Sequence, residues 1–406
     1  MGRSRRIRLA AAFGLGMGLA APLVIVAQKA TLPRARVLDS NVELRRDAAT
    51  GEMRAQPPNA GPEAPPVAPA IRARVSLVEV DCTVSAPDGT LVRGLTRNDF
   101  RLTEDGAEQT IASFDAATTP ASIALLLDDS PSIFRELGES RDAARSLTRS
   151  LRPEDEVAVA AFADQTRLLL PFSRDRNLLA AALASPDLAR VADSSQSFIY
   201  QAAYLTAHEL FSGRSGRKVI VLLTDGEDSG LGLTWDPASM HARPGAAGRA
   251  LAFDDVAREL ASQGVALYVI STEGRPRAMT AAWLAEHRNE PIVTPDARKL
   301  GIPEYTLYLA EMVRQVGGDV YFLREVGGLA EAYRRIALAV SAEYTLGYYP
   351  AAGTARPGWR ELGVELLPGV NAFPVGARVS HRAAYYLPAA PRDRPLPRAA
   401  GDRMGR

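Results

Sequence analysis

A single cysteine, Cys82, stands in a chain of 406 residues. One thiol excludes an intrachain disulfide and any zinc site built on several thiolates. It is expected to be a small side chain in a half-buried strand, or else an exposed thiol open to a partner. Histidine is almost as scarce: His208, His241, His287 and His381 lie far apart, without the His-x-x-x-His or Glu-x-x-His spacing of a metal hydrolase. Excess charge is missing as well. The 48 basic and 47 acidic side chains leave a net +1, so no nucleic-acid surface is expected. Gly213-Arg214-Ser215-Gly216 does not meet the nucleophile-elbow pattern, which needs glycine two residues to either side of the serine and a preceding strand. Nor does that stretch, with Lys218, have the spacing of a phosphate loop, and it precedes a strand rather than following one. With no base or nucleophile pair visible, the expectation is a protein that is not an enzyme.

What the sequence does contain is a run of apolar residues, Ile123 to Leu127, leading straight into Asp128, Asp129, Ser130, Pro131 and Ser132. A short continuous apolar run bounded by polar turn residues suits a strand buried on both faces of a parallel sheet. Asp128 then falls at the carboxyl end of a central strand, the edge where open α/β sheets bind ligands. Asp128, Ser130 and Ser132, at alternate positions of a turning loop, can aim a carboxylate and two hydroxyls at one point. Hard oxygen donors of this kind suit Mg²⁺, Mn²⁺ or Ca²⁺. The same residues could instead cap the following helix and satisfy backbone N–H groups.

The Asp-x-Ser-x-Ser pattern of Asp128, Ser130 and Ser132 resembles the opening of the metal-ion-dependent adhesion site of von Willebrand factor A-type domains. Two further pieces of that family's site follow in order. Its threonine loop corresponds to Ser195-Gln196-Ser197-Phe198-Ile199-Tyr200-Gln201-Ala202. Aligned on Tyr200, Ser197 takes the threonine's place, and the two glycines usual before it are absent. Its third piece, an aspartate after a buried strand, corresponds to Val219 to Thr224 followed by Asp225, Gly226, Glu227, Asp228 and Ser229. The resemblance implies a divalent-cation site in which Ser130, Ser132 and Ser197 bind the ion directly and Asp128 and Asp225 hold it mostly through water. Asp129, Glu227 and Asp228 flank the site, as solvated acids or as water-mediated ligands.

The fold expected is α/β, a doubly wound, mostly parallel, Rossmann-like sheet, with a small β-sandwich-like unit formed by the flanking segments. Met1 to Gln28, with Arg3, Arg5, Arg6 and Arg8 before a charge-free run, is an export signal or an N-terminal membrane anchor. Residues 29–70 form a Pro/Ala-rich linker that cannot bury enough surface to order itself. Residues 71–116 alternate with period two and carry turn signals such as Asp88-Gly89, which marks a β-rich module. Its Asp99-Phe100 and Glu104-Asp105-Gly106 resemble the module that precedes the A domain in a group of exported bacterial proteins. Strands and helices alternate through 120–342. Strands are expected at Ser122–Leu127, Glu156–Ala163, Arg167–Pro171, Lys218–Thr224, Ala266–Ser271 and Asp319–Leu323. Helices are expected at Arg135–Leu151, Leu178–Ala184, Ile199–Phe211, Asp254–Gln263, Glu304–Val316 and Gly328–Val340, with Gly264 and Gly317 as C-caps. Gly230–Arg249 and Gly274–Pro303 exceed a minimal domain and are expected as binding loops or disordered excursions. Residues 343–387, including Tyr344 to Tyr349 and Tyr385-Tyr386, return as strands to the β-module, and 388–406 form a disordered tail.

Two functional expectations follow. In the first, an exported, periplasmic or secreted, adhesion-type protein binds a protein partner's Asp or Glu through Mg²⁺ (or Mn²⁺ or Ca²⁺), and touches membrane only through its N-terminal helix. In the second, the chain is a metal-independent scaffold of an envelope assembly, working through the β-unit and the two insertions.

Overall fold

Every residue of the strand Ala121–Asp128 is buried, because helices cover both sides of it. Alternate residues along it enter two separate cores. Ala124 and Leu126 pack with Ala158, Ala160, Ile220 and Leu222 on one face. Ile123, Leu125 and Leu127 pack with Val157, Val159, Val219 and Val221 on the other. Each such Leu, Ile or Val removed from water contributes about 1.5–3 kcal/mol, so the sheet is the principal source of stability.

The computed structural model describes residues 32–33, 35–38, 43–46, 53–56, 77–88, 90–116, 119–130, 133, 150–185, 188, 197–229, 234–236, 241–243, 251–287, 290–326, 328–341, 344–350, 357–367 and 373–387. In chain order the strands are β1 (Arg36–Val37), β2 (Val78–Ser85), β3 (Phe100–Glu104), β4 (Ala107–Gln109), β5 (Ser113–Ala116), β6 (Ala121–Asp128), β7 (Glu156–Phe162), β8 (Thr166–Ser173), β9 (Arg217–Thr224), β10 (Val265–Ser271), β11 (Gly318–Phe322), β12 (Tyr344–Tyr348), β13 (Gly358–Leu366), β14 (Arg378–His381) and β15 (Ala384–Leu387). The main helices are α1 (Arg176–Leu183), α2 (Ile199–Phe211), α3 (Phe253–Gln263), α4 (Ala281–Glu286), α5 (Pro295–Lys299), α6 (Glu304–Val316) and α7 (Leu329–Ser341).

The large sheet has the order β1-β8-β7-β6-β9-β10-β11. Its pairs from β7 through β6, β9 and β10 to β11 are parallel, and β8 and β1 add antiparallel strands at one edge. Residues of α2, α3 and α6 cover one face, and residues of α1 and α7 cover the other. This is the doubly wound α/β architecture, with element ends within two residues of those expected. Gly264 terminates α3 in the left-handed conformation at φ 66°, which a residue with a Cβ adopts only at a cost.

Two four-stranded antiparallel sheets, β14-β2-β12-β5 and β15-β13-β3-β4, enclose a third core. Its pairings join the two ends of the chain. Leu346 lies opposite Val80, and Val364 lies opposite Leu102. The α/β domain is therefore inserted between the halves of one small sandwich. Cys82 is not half-buried but fully enclosed there, among Val80, Val84 and Tyr344. Tyr348 and Tyr385 are core residues, whereas Tyr349 is exposed and Tyr386 meets Trp359 edge-on at 5.5 Å.

Two expectations are corrected. Within the segment read as a linker, β1 pairs with β8 at the sheet edge, Leu38 N–H donates to the Thr166 carbonyl at 2.9 Å, and the Leu38 side chain is buried. Two further stretches, Glu43–Arg46 and Met53–Gln56, pair with each other. A few residues suffice because the sheet already offers unpaired edge groups and an apolar hollow. The segment Gly274–Pro303 is not an excursion: it holds α4 and α5 and buries Met279, Ile292, Val293, Ala297 and Ile302 in the core shared with α2, α3 and α6. Of Gly230–Arg249, the described residues form one ribbon, Thr234–Asp236 with His241–Arg243. The leader at Met1–Gln28, most of the helix expected at Arg135–Leu151 and the tail at 388–406 lie outside the described residues. Among the described residues no helix is long and apolar enough to cross a membrane.

Candidate metal centre

Parallel register decides which loops meet. Leu127 lies opposite Leu223 and Asp128 opposite Phe162, so β6, β7 and β9 end level at one edge of the sheet. The loop after β9 therefore starts beside Asp128. The Thr224 hydroxyl donates to Asp128 Oδ2 at 2.7 Å and accepts the Gly226 N–H at 3.0 Å. The loop before α2 reaches the same edge from β7, through a Phe198 N–H donated to the Ala163 carbonyl at 3.0 Å. It delivers Ser197, whose hydroxyl donates to Asp128 Oδ2 at 3.1 Å. Ser197 and Ser229 clamp the two loops together: Ser229 N–H donates to the Ser197 carbonyl at 2.7 Å, and Ser197 N–H to Ser229 Oγ at 3.1 Å.

The first loop closes on Asp128 too, since Ser130 N–H donates to Asp128 Oδ1 at 3.1 Å. Asp128, Ser130, Ser197 and Asp225 are thus gathered at one sheet edge, all of them buried. Asp225 Oδ1 accepts the Glu227 N–H at 3.0 Å, which fixes the turn that follows it. Ser132 lies outside the described residues. Burial, chiefly, pushes the Asp128 carboxyl above the usual carboxylate range. Hydrogen bonds from Thr224 and Ser130 oppose the shift, and the nearby Asp225 charge adds to it. Among the described residues Asp128 has no Lys, Arg or His partner. A buried carboxylate with a second one close by and no cationic side chain is a site that a bound cation would relieve.

The donors are carboxylates and hydroxyls only, a set that fits a hard divalent ion. Among the described residues no group of three or more His, Cys, Asp or Glu side chains converges, so an ion held here would depend on the hydroxyls as well as on the two carboxylates.

Two of the three flanking acids are engaged by the protein itself, and Glu227 is not. Asp129 is not a solvated acid: it is buried, its N–H donates to the Phe162 carbonyl at 2.7 Å, and its Oδ2 accepts from Arg167 of β8 at 2.8 Å. Asp228 is half-buried, and its Oδ1 accepts the Tyr200 N–H at 3.4 Å, at the amino end of α2 where a negative charge is favourable. Glu227 is exposed. Sequence reasoning passed over Thr224, read only as the end of a strand, and Arg167, whose partner lies 38 residues away. A threonine immediately before the loop aspartate is the one local sign of the first. Nothing local signals the second.

Gly226 is required at its position. Its φ is +96°, and a Cβ there would stand 3.0 Å from Tyr305 Cδ2 and 3.1 Å from Leu309 Cδ1 of α6. Gly226→Ala is expected to cost about 1–3 kcal/mol of stability, from backbone strain together with displacement of the packed tyrosine. Chemical unfolding of the variant checks this, and a loss below half a kcal/mol would show that loop and helix adjust freely.

Residues 122–289 match the sequence profile described as the von Willebrand factor type A domain. No curated protein matches the chain. Similar solved structures include an aerotolerance-related membrane protein from Bacteroides fragilis, 16% identical, covering 54% of this chain and 98% of that one, with a TM-score of 0.36. They include the vWF domain of the type V pili tip protein Mfa5 from Porphyromonas gingivalis, 10% identical, covering 55% and 95%, TM-score 0.36. A third is proximal thread matrix protein 1 from the mussel byssus with a zinc-occupied MIDAS motif, 15% identical, covering 57% and 48%, TM-score 0.36. The level ends of β6, β7 and β9, the hydroxyl and carboxylate loops that they carry and the profile match agree: this chain carries a von Willebrand factor type A domain over residues 122–289.

Proposed function

We propose that the chain is an exported, adhesion-type interaction protein whose A domain captures an acidic group of a protein partner through a divalent cation. The observation that carries this reading is the buried Asp128 carboxylate, bonded to the Ser197 and Thr224 hydroxyls and lacking a cationic partner among the described residues. Asp128, Ser130, Ser132, Ser197 and Asp225 would hold the ion, with Mg²⁺ the first choice and Mn²⁺ or Ca²⁺ the alternatives. The ion would supply an under-neutralised position that a partner's Asp or Glu completes. Thr224 and Ser229 position the donors, and Arg167 holds Asp129 away from the ion.

Binding rather than catalysis is the reading adopted, and three of the four histidines are held by neighbouring groups. His208 is tied to Glu259 at 3.0 Å, His287 to the Trp283 carbonyl at 2.9 Å, and His381 lies between the Val364 N–H and the Arg382 carbonyl. The arginine-led leader at Met1–Gln28 supports export to the periplasm or beyond, as a cleaved signal or an anchor.

The test is capture of immobilised Glu-bearing peptides by the full chain, in Mg²⁺ and in EDTA. Capture that needs the ion is expected. Capture of partner material that is indifferent to EDTA would overturn the metal-linked reading in favour of a scaffold working through the sandwich.

A further inference from the structure

One edge of the large sheet is closed by a strap of its own chain. Residues 35–38 run antiparallel along β8, with Arg36 opposite Leu168 and Val37 opposite Arg167, and the Leu38 N–H donates to the Thr166 carbonyl at 2.9 Å. Leu38 is fully enclosed in the core that α2 covers, Ala35 packs against the core of the other face, and Arg36 reaches Glu209 of α2 at 2.9 Å. The Arg36 side chain is 48% exposed, so that ion pair adds little, and one enclosed leucine with one short ladder does most of the holding. A segment held by so few contacts opens at a lower cost than the sheet beneath it.

The strap lies against a residue that matters to the metal edge. Val37 faces Arg167, and opposite residues of an antiparallel pair stand on the same side of the sheet. Arg167 is the partner of Asp129, which follows Asp128 in the chain, and the two side chains are only 14% and 1% exposed. A dry ion pair holds firmly, and a wetted one holds weakly. The Arg167 Nε is enclosed without a hydrogen-bond partner among the described residues, so water reaching it would draw the guanidinium outward. Asp129 would then stand beside the ion with its charge uncovered. One more negative charge at that edge attracts a divalent cation and repels an incoming carboxylate.

We propose that residues 35–38 are a regulatory strap for the metal edge. Docked, the strap keeps Asp129 neutralised by Arg167 and favours capture of the partner's acid. Released, it uncovers Asp129 and favours the bare ion. The inference rests on the metal-linked reading of that edge. Coupling between two equilibria is reciprocal, so Mg²⁺ alone promotes release, and an acid bound to the Mg²⁺ form restores docking.

The test is hydrogen exchange at the Leu38 N–H in the full chain, read beside Mg²⁺ titration and capture of a Glu-bearing peptide. In the wild type, saturating Mg²⁺ is expected to speed that exchange about fivefold over EDTA, and the peptide added with Mg²⁺ to slow it again. Leu38→Asn puts an unsatisfied amide into the apolar core and forces release without altering charge. It is expected to bind Mg²⁺ about fivefold tighter and, in saturating Mg²⁺, to bind the Glu peptide about fivefold more weakly. Asp129→Asn removes the charge in question, and in that background Leu38→Asn should shift neither affinity. Exchange at Leu38 that is equal in EDTA and in Mg²⁺, in a wild type that binds the ion, would overturn the strap and leave the metal reading intact. A Leu38→Asn protein whose two affinities fall together, or stay unchanged, would overturn it as well. A wild type that binds no Mg²⁺, or captures no peptide in it, identifies failure of the metal-linked reading, and the strap falls with it.

Discussion

Asp128→Asn is expected to leave the chain folded and to abolish its stabilisation by divalent cations. The side chain keeps its shape, and the amide can still accept the Ser130 N–H, while the Thr224 and Ser197 hydroxyls rotate to meet it. What disappears is the charge. Because burial raises the Asp128 pKa in the folded state above its unfolded value, ionising this group works against the ion-free fold at every pH above the ordinary carboxylate range. In the ion-free protein, Asn is therefore neutral or mildly stabilising at pH 7. With the ion the sign reverses for the wild type. A cation at about one hundred times its Kd adds about 2.7 kcal/mol, which in a chain of this size raises the melting temperature by about 3–5 °C. The variant is expected to show no such rise. Thermal unfolding of both proteins in EDTA and in Mg²⁺ measures it, and an equal rise in the two would remove Asp128 from the site.

Most of the frame that carries Asp128 was legible because local signals agreed with global ones. The apolar run before it, bounded by polar turn residues, suited a strand covered on both faces, and Gly264 marked the end of α3. The ordered triplet of hydroxyl and carboxylate loops could be read because parallel strands that share a sheet end at one edge. The rest depended on contacts that leave no periodic trace. Asp129 and Arg167 are brought together by the β7–β8 hairpin, so neither residue announces the other. Leu38 sits in a stretch whose composition argues against order, and is held by an edge that only the folded sheet provides. The apolar residues of 274–303 are spaced irregularly across two short helices, which conceals that they belong to the core.

The strand signature of the flanking module also has a physical explanation, and it supports the second large prediction. Asp99 accepts the Thr96 N–H at 2.6 Å to close the turn before β3, and Asp105, at φ 46°, with Gly106, at φ 78°, makes the tight turn after it. Between these turns Glu104 is buried at the seam of the sandwich. Arg360 of β13 donates to Glu104 Oε1 through Nε at 2.9 Å and Nη2 at 2.7 Å, while Tyr348 of β12 donates to Oε2 at 2.6 Å. One carboxylate thus binds two strands that enter the fold after the whole A domain has been made. Arg360→Ala would leave that charge buried with only a phenol for company, at an expected cost of about 3–5 kcal/mol. Pairing it with Glu104→Gln removes the orphaned charge, so the double variant should be more stable than Arg360→Ala alone despite carrying one more change. Denaturant unfolding of the two single variants and the double variant decides it. Strictly additive losses, or a loss below half a kcal/mol for Arg360→Ala, would mean that apolar packing of Val80, Leu102, Leu346 and Val364 closes the sandwich without this ion pair.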